Sequence, residues 1–380
     1  MTVNNSSTFD INNVSPLTIG GLELNSGTLT TDTGAVFTAP ITLTTNSSDF
    51  LIDNSGTLTI NNNINGAGTL TYSGAGTGIA INGEVGNTTA LQGTVQNTPL
   101  TLGGTDTTTT GNQVYNLPIS LTNEAKFIST NGSVYINASI DSQSTGQDVT
   151  INTPNGTAAL GNNGTIDLGN NALGNVSITG ARIVLNANLV NYNKFTVTGS
   201  GNGTSLAFSS SNPVNVQLTS PTSINSGSAS VNGQSVSFNN IHTLVGNNSG
   251  SNTIDLQNAS GYTVTYTGAN SGYINDPIFF TNFNVINYIP APAPTPVPTP
   301  TSSTTTTSTA VTSSYVTPVI LQSINPSGIQ NIDLTNIASI TSGGTADNID
   351  AMVQAQTNYT NNIVKKLTLI LNCFHAQGGN

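Results

Sequence analysis

Asp141, Asp148 and Asp167 are the nearest approach to a reactive constellation in this chain of 380 residues. A glycosidase needs two carboxylates within about 5–10 Å of each other. On stacked short strands, that requires acids at matching positions of neighbouring turns. Asp141 and Asp148 are close in sequence, and Asp167 follows Asp148 by 167 − 148 = 19 residues, about one turn of a repeat. Arg182 and Lys194 lie downstream. No motif binds the trio together, and carboxylates scattered over surface corners explain it as well. No catalytic residue is therefore assigned. The trio marks only the alternative reading, a β-helical polysaccharide-degrading enzyme acting as a lyase or glycoside hydrolase.

Metal and cofactor chemistry finds no residues either. His242 and His375 are the only histidines, and neither has a Cys, His or carboxylate at ligand spacing. The calcium-binding nonapeptide of β-rolls and the EF-hand loop are both absent. "GSGNG" at Gly199–Gly203 lacks the lysine and the following helix of a phosphate loop. The single cysteine, Cys373, excludes an internal disulfide. No metal and no cofactor is expected.

The composition points to a structural or binding role. Charged residues make up 6% of the chain and hydrophobic ones 35%, against roughly 25% and 45–50% in an ordinary domain. Asn, Thr, Ser and 39 glycines fill the difference. With 16 acidic and 5 basic residues the net charge is −11, which leaves no basic cluster for nucleic acid or an anionic membrane surface. No segment reaches the roughly 20 apolar residues of a membrane span. The start, "MTVNNSSTFDINN", has neither the basic end nor the apolar core of a secretory signal.

The elements that would position any site are short strands. "SVYINASI", "DVTINT", "KFTVTG", "VNVQL" and "YTVTY" alternate β-branched or aromatic residues with polar ones, bounded by Gly and Asn. "NSGTLT" occurs at Asn25–Thr30 and again at Asn54–Thr59, and "TIDLGN" at Thr165 is echoed by "TIDLQN" at Thr253. The second separation, 253 − 165 = 88 residues, equals four turns of about 22, within the range of solenoid repeats. Strands so short and so numerous predict an all-β chain folded as a parallel β-helix of roughly twelve coils over residues 1–288. Asparagine suits its corners twice over. It tolerates the left-handed backbone region, and stacked asparagines hydrogen-bond from coil to coil. The run "YIPAPAPTPVPTPTSSTTTTSTA" opens a Pro/Thr/Ser-rich linker at residues 289–318. Residues 319–380 then form a small C-terminal segment, with one helix expected between Ile349 and Leu367.

"SPLTIGGLELNSGTLTTDTGAVFTAP", "VYINASIDSQSTGQDVTINTPNG" and "NVSITGARIVLNANL" resemble the passenger repeats of filamentous-haemagglutinin-like exoproteins, the large adhesins of two-partner secretion. Val236–Ile286 is similar to the segment that closes such arrays. The resemblance implies a right-handed parallel β-helix and export through an outer-membrane β-barrel transporter. It also implies a secreted or bacterial cell-surface location, and contact with glycans or matrix on host or neighbouring cells. The family's N-terminal secretion domain is missing, so the chain is expected to be part of a longer exoprotein. The expectation for function is an adhesin-like rod without enzyme activity.

Overall fold

The computed structural model of the chain describes residues 1–289 except 13–18, 46, 105, 145, 162–171, 187–190, 210–211, 220–224, 232, 258–260 and 276–277. Every regular element among the described residues is a β-strand. Almost all of the expected linker, and the whole C-terminal segment with its helix, lie outside them.

The strands build a parallel β-solenoid with three ladders. The first begins with Thr2–Asn4, Leu22–Asn25, Ile41–Leu43 and Ile64–Gly66 and passes through Val85 into Asp106–Thr109. The second begins with Thr8–Asp10, Thr28–Thr31, Ser48–Asp53 and Thr69–Gly74. The third runs from Ala35–Phe37 through Thr57–Ile60 and Gly78–Ile81 to Ile140–Ser142. In the second ladder Phe9 pairs with Leu29, and the register continues through Leu51, Tyr72, Gln96, Tyr115, Ile136 and Leu160 to Leu185. Eight turns thus take 185 − 9 = 176 residues, or 22 each, which is the repeat length read from the sequence.

Beyond Leu185 the turns lengthen. The register goes from Leu206 to Leu244 and from Leu244 to Phe280, steps of 38 and 36 residues. Each step carries an antiparallel insertion. Val214–Leu218, Gly227–Val231 and Gln234–Asn239 form the first, and Val264–Gly268, Ser271–Ile274 and Ile278–Thr281 the second. The twelve regular coils expected along the whole array are therefore about eight, followed by fewer and longer ones. The exact hexapeptide repeat is not the structural repeat either. Thr28–Thr31 stands in the second ladder and Thr57–Ile60 in the third.

Alternation along each strand turns one set of side chains inward, and parallel register stacks that set on the next turn. Ile64, Val85, Thr107, Phe127, Ile151, Ile178, Val197 and Phe238 form one such column, all buried. Each large apolar member contributes about 1.5–3 kcal/mol by leaving water.

The corners are held by amides. Asn116 donates to Asn97 and Asn137 to Asn116, both at 2.9 Å, and Asn82 donates to Asn61 at 2.7 Å. Asn54 and then Asn12 donate to Asp32 and hold its carboxyl below the ordinary carboxylate value. Among the described residues nine non-glycine positions have positive φ, and six of them are asparagines, including Asn191, Asn240 and Asn282. These are the stacks and left-handed corners that asparagine was expected to supply.

Two carboxylates do the same work inside. Asp49 and Asp53 point inward from Ser48–Asp53 and are fully buried. Asp49 accepts from the Gly27 amide at 2.9 Å and from the Ser47 hydroxyl. Asp53 accepts from the Gly78 amide at 2.7 Å and the Thr98 hydroxyl at 3.1 Å, tying together three turns. Its pair partner Gly74 has φ of +134°, and a Cβ there would overlap the Asp53 carbonyl and carboxylate. Buried rings complete the interior. Burial pushes the Tyr115 and Tyr72 phenols well up, and it raises Tyr192 to about 12.

Asp53→Ala strands two buried donors and is expected to cost about 2–4 kcal/mol. Asp53→Asn keeps an acceptor oxygen and should cost distinctly less, as read from urea midpoints. Tyr192 is an alkaline reporter. Its folded value of about 12 lies above the ordinary 10.0, so the stability that comes with its neutral phenol is complete below pH 10 and falls between pH 10 and about 12. A spectrophotometric titration should show a tyrosine phase in that window which Tyr192→Phe removes.

Candidate functional site

The structure separates the residues that the sequence grouped. Asp141 lies on the third ladder, in Ile140–Ser142, opposite Ser120. One of its carboxylate oxygens is buried without a hydrogen-bond partner. Asp148 precedes Val149, which pairs in the first ladder. Its carboxylate accepts from the Asn175 backbone at 2.6 Å and the Asn175 side chain at 3.3 Å, one turn on. Asp167 lies outside the described residues. Lys194 stands in the first ladder beside Asn175, and Arg182 in the second beside Ser205.

Most carboxylates are occupied. Of the eleven described, nine accept a hydrogen bond or ion pair from within the solenoid. Eight of those nine are met by amides or hydroxyls; the ninth, Asp106, holds Lys126 at 3.2 Å and raises that ammonium's affinity for its proton. Glu124 and Asp141 remain. The settings of the nine differ: Asp49 and Asp53 are fully buried, whereas Asp10, Glu23 and Asp32 are exposed and spend one or more oxygens on a neighbour.

His242 is the one histidine among the described residues. His242 donates its backbone N–H to Thr204 O and accepts from Phe279 N, both at 2.9 Å, while its Nδ1 is buried without a partner. No group of three or more His, Cys, Asp or Glu residues among those described is arranged to hold a metal. His375 and Cys373 lie outside the described residues. No helix among them is long and apolar enough to cross a membrane.

One hollow lies elsewhere, on the outer side of the late turns. It is a cleft of about 570 Å³ with Arg182, Val184, Ala207 and Val245 along its floor and Asn248 and Asn282 at its side. Its wall is braced. Asn247 donates to Asn212 O and accepts from Ser249 N at 2.9 Å, and Asn282 donates to Gly246 O at 3.2 Å. Two further hollows of about 340 Å³ lie one by Thr263 and Thr265, the other by Asn155 and Ser200. Arg182 was visible in the sequence as the single basic residue of its stretch, but nothing there placed Asn248 or Asn282 beside it.

No protein-family model, curated protein or solved structure matches this chain. What it has in common with the exoprotein resemblance is the β-solenoid itself.

The role of Asp148 as a brace has a measurable consequence. Asp148→Ala removes the acceptor of the Asn175 turn and is expected to cost about 1 kcal/mol, with Asp148→Asn costing less. Thermal melts of the two variants check this.

Proposed function

We propose that the chain is an adhesin-like structural rod, secreted or displayed at a bacterial surface, that contacts carbohydrate or matrix without catalysis. The observation that carries this reading is the state of the carboxylates. Nine of the eleven described are consumed in holding the solenoid together, so little is left to act as an acid–base pair. The outward positions favour the same reading. Along Ala125–Ser129, Val149–Leu160 and Tyr192–Gly199 they are largely Thr, Asn and Lys, whose hydroxyls and amides suit polar, uncharged partners. Family membership and export through an outer-membrane β-barrel transporter belong to this proposal and rest on the resemblance of the repeats.

The full chain should retain fluorescent soluble polysaccharides in size-exclusion chromatography and release them at unchanged length. A glycan that elutes shortened overturns the non-catalytic part and favours the polysaccharide-degrading alternative, with Asp141, Asp148 and Asp167 the first residues to substitute. If no glycan or matrix component is retained, the contact role fails.

A further inference from the structure

Parallel register lines up, on the outer side of the second ladder, residues that are far apart in sequence. Arg182 pairs with Ser205, Ser205 with Thr243, and Thr243 with Phe279. The antiparallel insertion extends that row from Phe279 to Tyr273 and then to Thr265. The neighbours Ile183, Leu206, Leu244, Phe280 and Ile274 are buried, so the row itself faces outward. Strands about 4.8 Å apart put Arg182 roughly 14 Å from Phe279 and roughly 19 Å from Tyr273 along the sheet. That is the reach of a short oligosaccharide rather than of one sugar.

The chemistry changes along this row. A guanidinium stands at one end, two hydroxyls in the middle and two rings at the other end. The rings of Tyr273 and Phe279 have centroids 5.1 Å apart and are tilted by 55°. Two rings, with a polar tip on Tyr273, suit a partner that is apolar on one side and polar at its rim, as a pyranose is. A second outward row, Val184, Ala207, Val245 and Thr281, lies alongside, and its first three members line the hollow together with Arg182 and the hydrogen-bonded Asn248 and Asn282. Arg182 belongs to both the first row and the hollow, so that row starts beside a hollow of about 570 Å³ whose lining combines apolar residues with a few polar groups, the makings of a ligand site.

Charge narrows the ligand. No described residue pairs with the Arg182 side chain, and the only ion pair among the described residues is Lys126 with Asp106. A guanidinium fork matches a planar carboxylate through two parallel hydrogen bonds. One cation answers one anion, and a chain of net charge −11 repels a dense polyanion.

We infer that this face binds an oligosaccharide carrying a single carboxylated sugar, its carboxylate on Arg182 and its neutral sugars running over Ser205 and Thr243 toward Phe279 and Tyr273. The inference rests on the glycan-contact reading above and specifies the site and the ligand class.

Calorimetric titration of the full chain with three probes tests it: a xylo-oligosaccharide bearing one glucuronic acid, the neutral xylo-oligosaccharide of equal length, and a heparin tetrasaccharide. The singly charged probe should bind at least tenfold more tightly than the other two. Arg182→Gln should remove that preference, Arg182→Lys should keep part of it, and Tyr273→Ala should weaken charged and neutral probes together. Both side chains are exposed, so stability should hold to within about 0.5 kcal/mol. Without any variant, added salt should weaken the glucuronate probe and spare the neutral one. Tightest binding of heparin overturns the single-anion ligand. Binding that ignores salt and both substitutions overturns the site and leaves the glycan-contact reading standing, whereas no binding of any probe sinks this inference, and silence in the polysaccharide retention experiment sinks the broader reading as well.

Discussion

One constraint governs this chain: each backbone position pairs with the equivalent position one turn later. In a parallel ladder the hydrogen bonds run between turns, so a residue is judged by what stands directly above and below it. Inward Ile151 must accept Phe127 on one side and Ile178 on the other. A corner asparagine must meet a corner group that donates or accepts, as Asn116 does between Asn97 and Asn137. Once the 22-residue turn is set, core and corner columns follow from it. The same rule explains the interior carboxylates. Asp53 is tolerated at a fully buried position because the next two turns bring the Gly78 amide and the Thr98 hydroxyl to it.

This constraint made much of the fold legible in advance. Period-two runs such as "VNVQL" became the strand Val214–Leu218, and asparagine did take the left-handed corners. What misled was exact repetition. The two "NSGTLT" segments are 54 − 25 = 29 residues apart, so they cannot occupy the same place in a 22-residue turn, and they fall in different ladders. The late turns were missed for a different reason. The sequence between Val231 and Gln234 reads Asn-Gly, the dipeptide most suited to a two-residue hairpin, and Val231 and Gln234 are an antiparallel pair. Set in so much Asn and Gly, that one signal did not stand out from the corners.

The cleft was illegible for a physical reason. Val184, Ala207 and Val245 line it, and the row alongside joins Arg182, Ser205, Thr243 and Phe279, at spacings of 23, 38 and, in the row, 36. Only the first is a solenoid turn. The insertions that lengthen the others leave the register of the ladder intact and destroy the sequence period that would reveal it. Asp141 and Asp148 show the opposite failure: seven residues apart in the chain, they are carried to different ladders by a corner between them. Closeness in sequence is a poor guide in a solenoid, where closeness in register decides.

The low charge follows from the same stacking. Two like charges at equivalent positions would stand about 4.8 Å apart, a repulsion of about 1 kcal/mol in water and about 3.5 kcal/mol at the effective dielectric of a protein surface. Repeated along a column, that cost would rival the stability of a domain. An asparagine carries both a donor and an acceptor and stacks on itself without this penalty. Evolution of a repeating unit therefore favours neutral polar residues, and charge survives where a column is interrupted or an opposite partner intervenes, as Lys126 stands beside Asp106. Arg182 stands beside Ser205, at the place where the regular turns give way to the inserted ones and a column need not repeat. A solitary cation there costs the fold little, and its charge is left for something outside the chain.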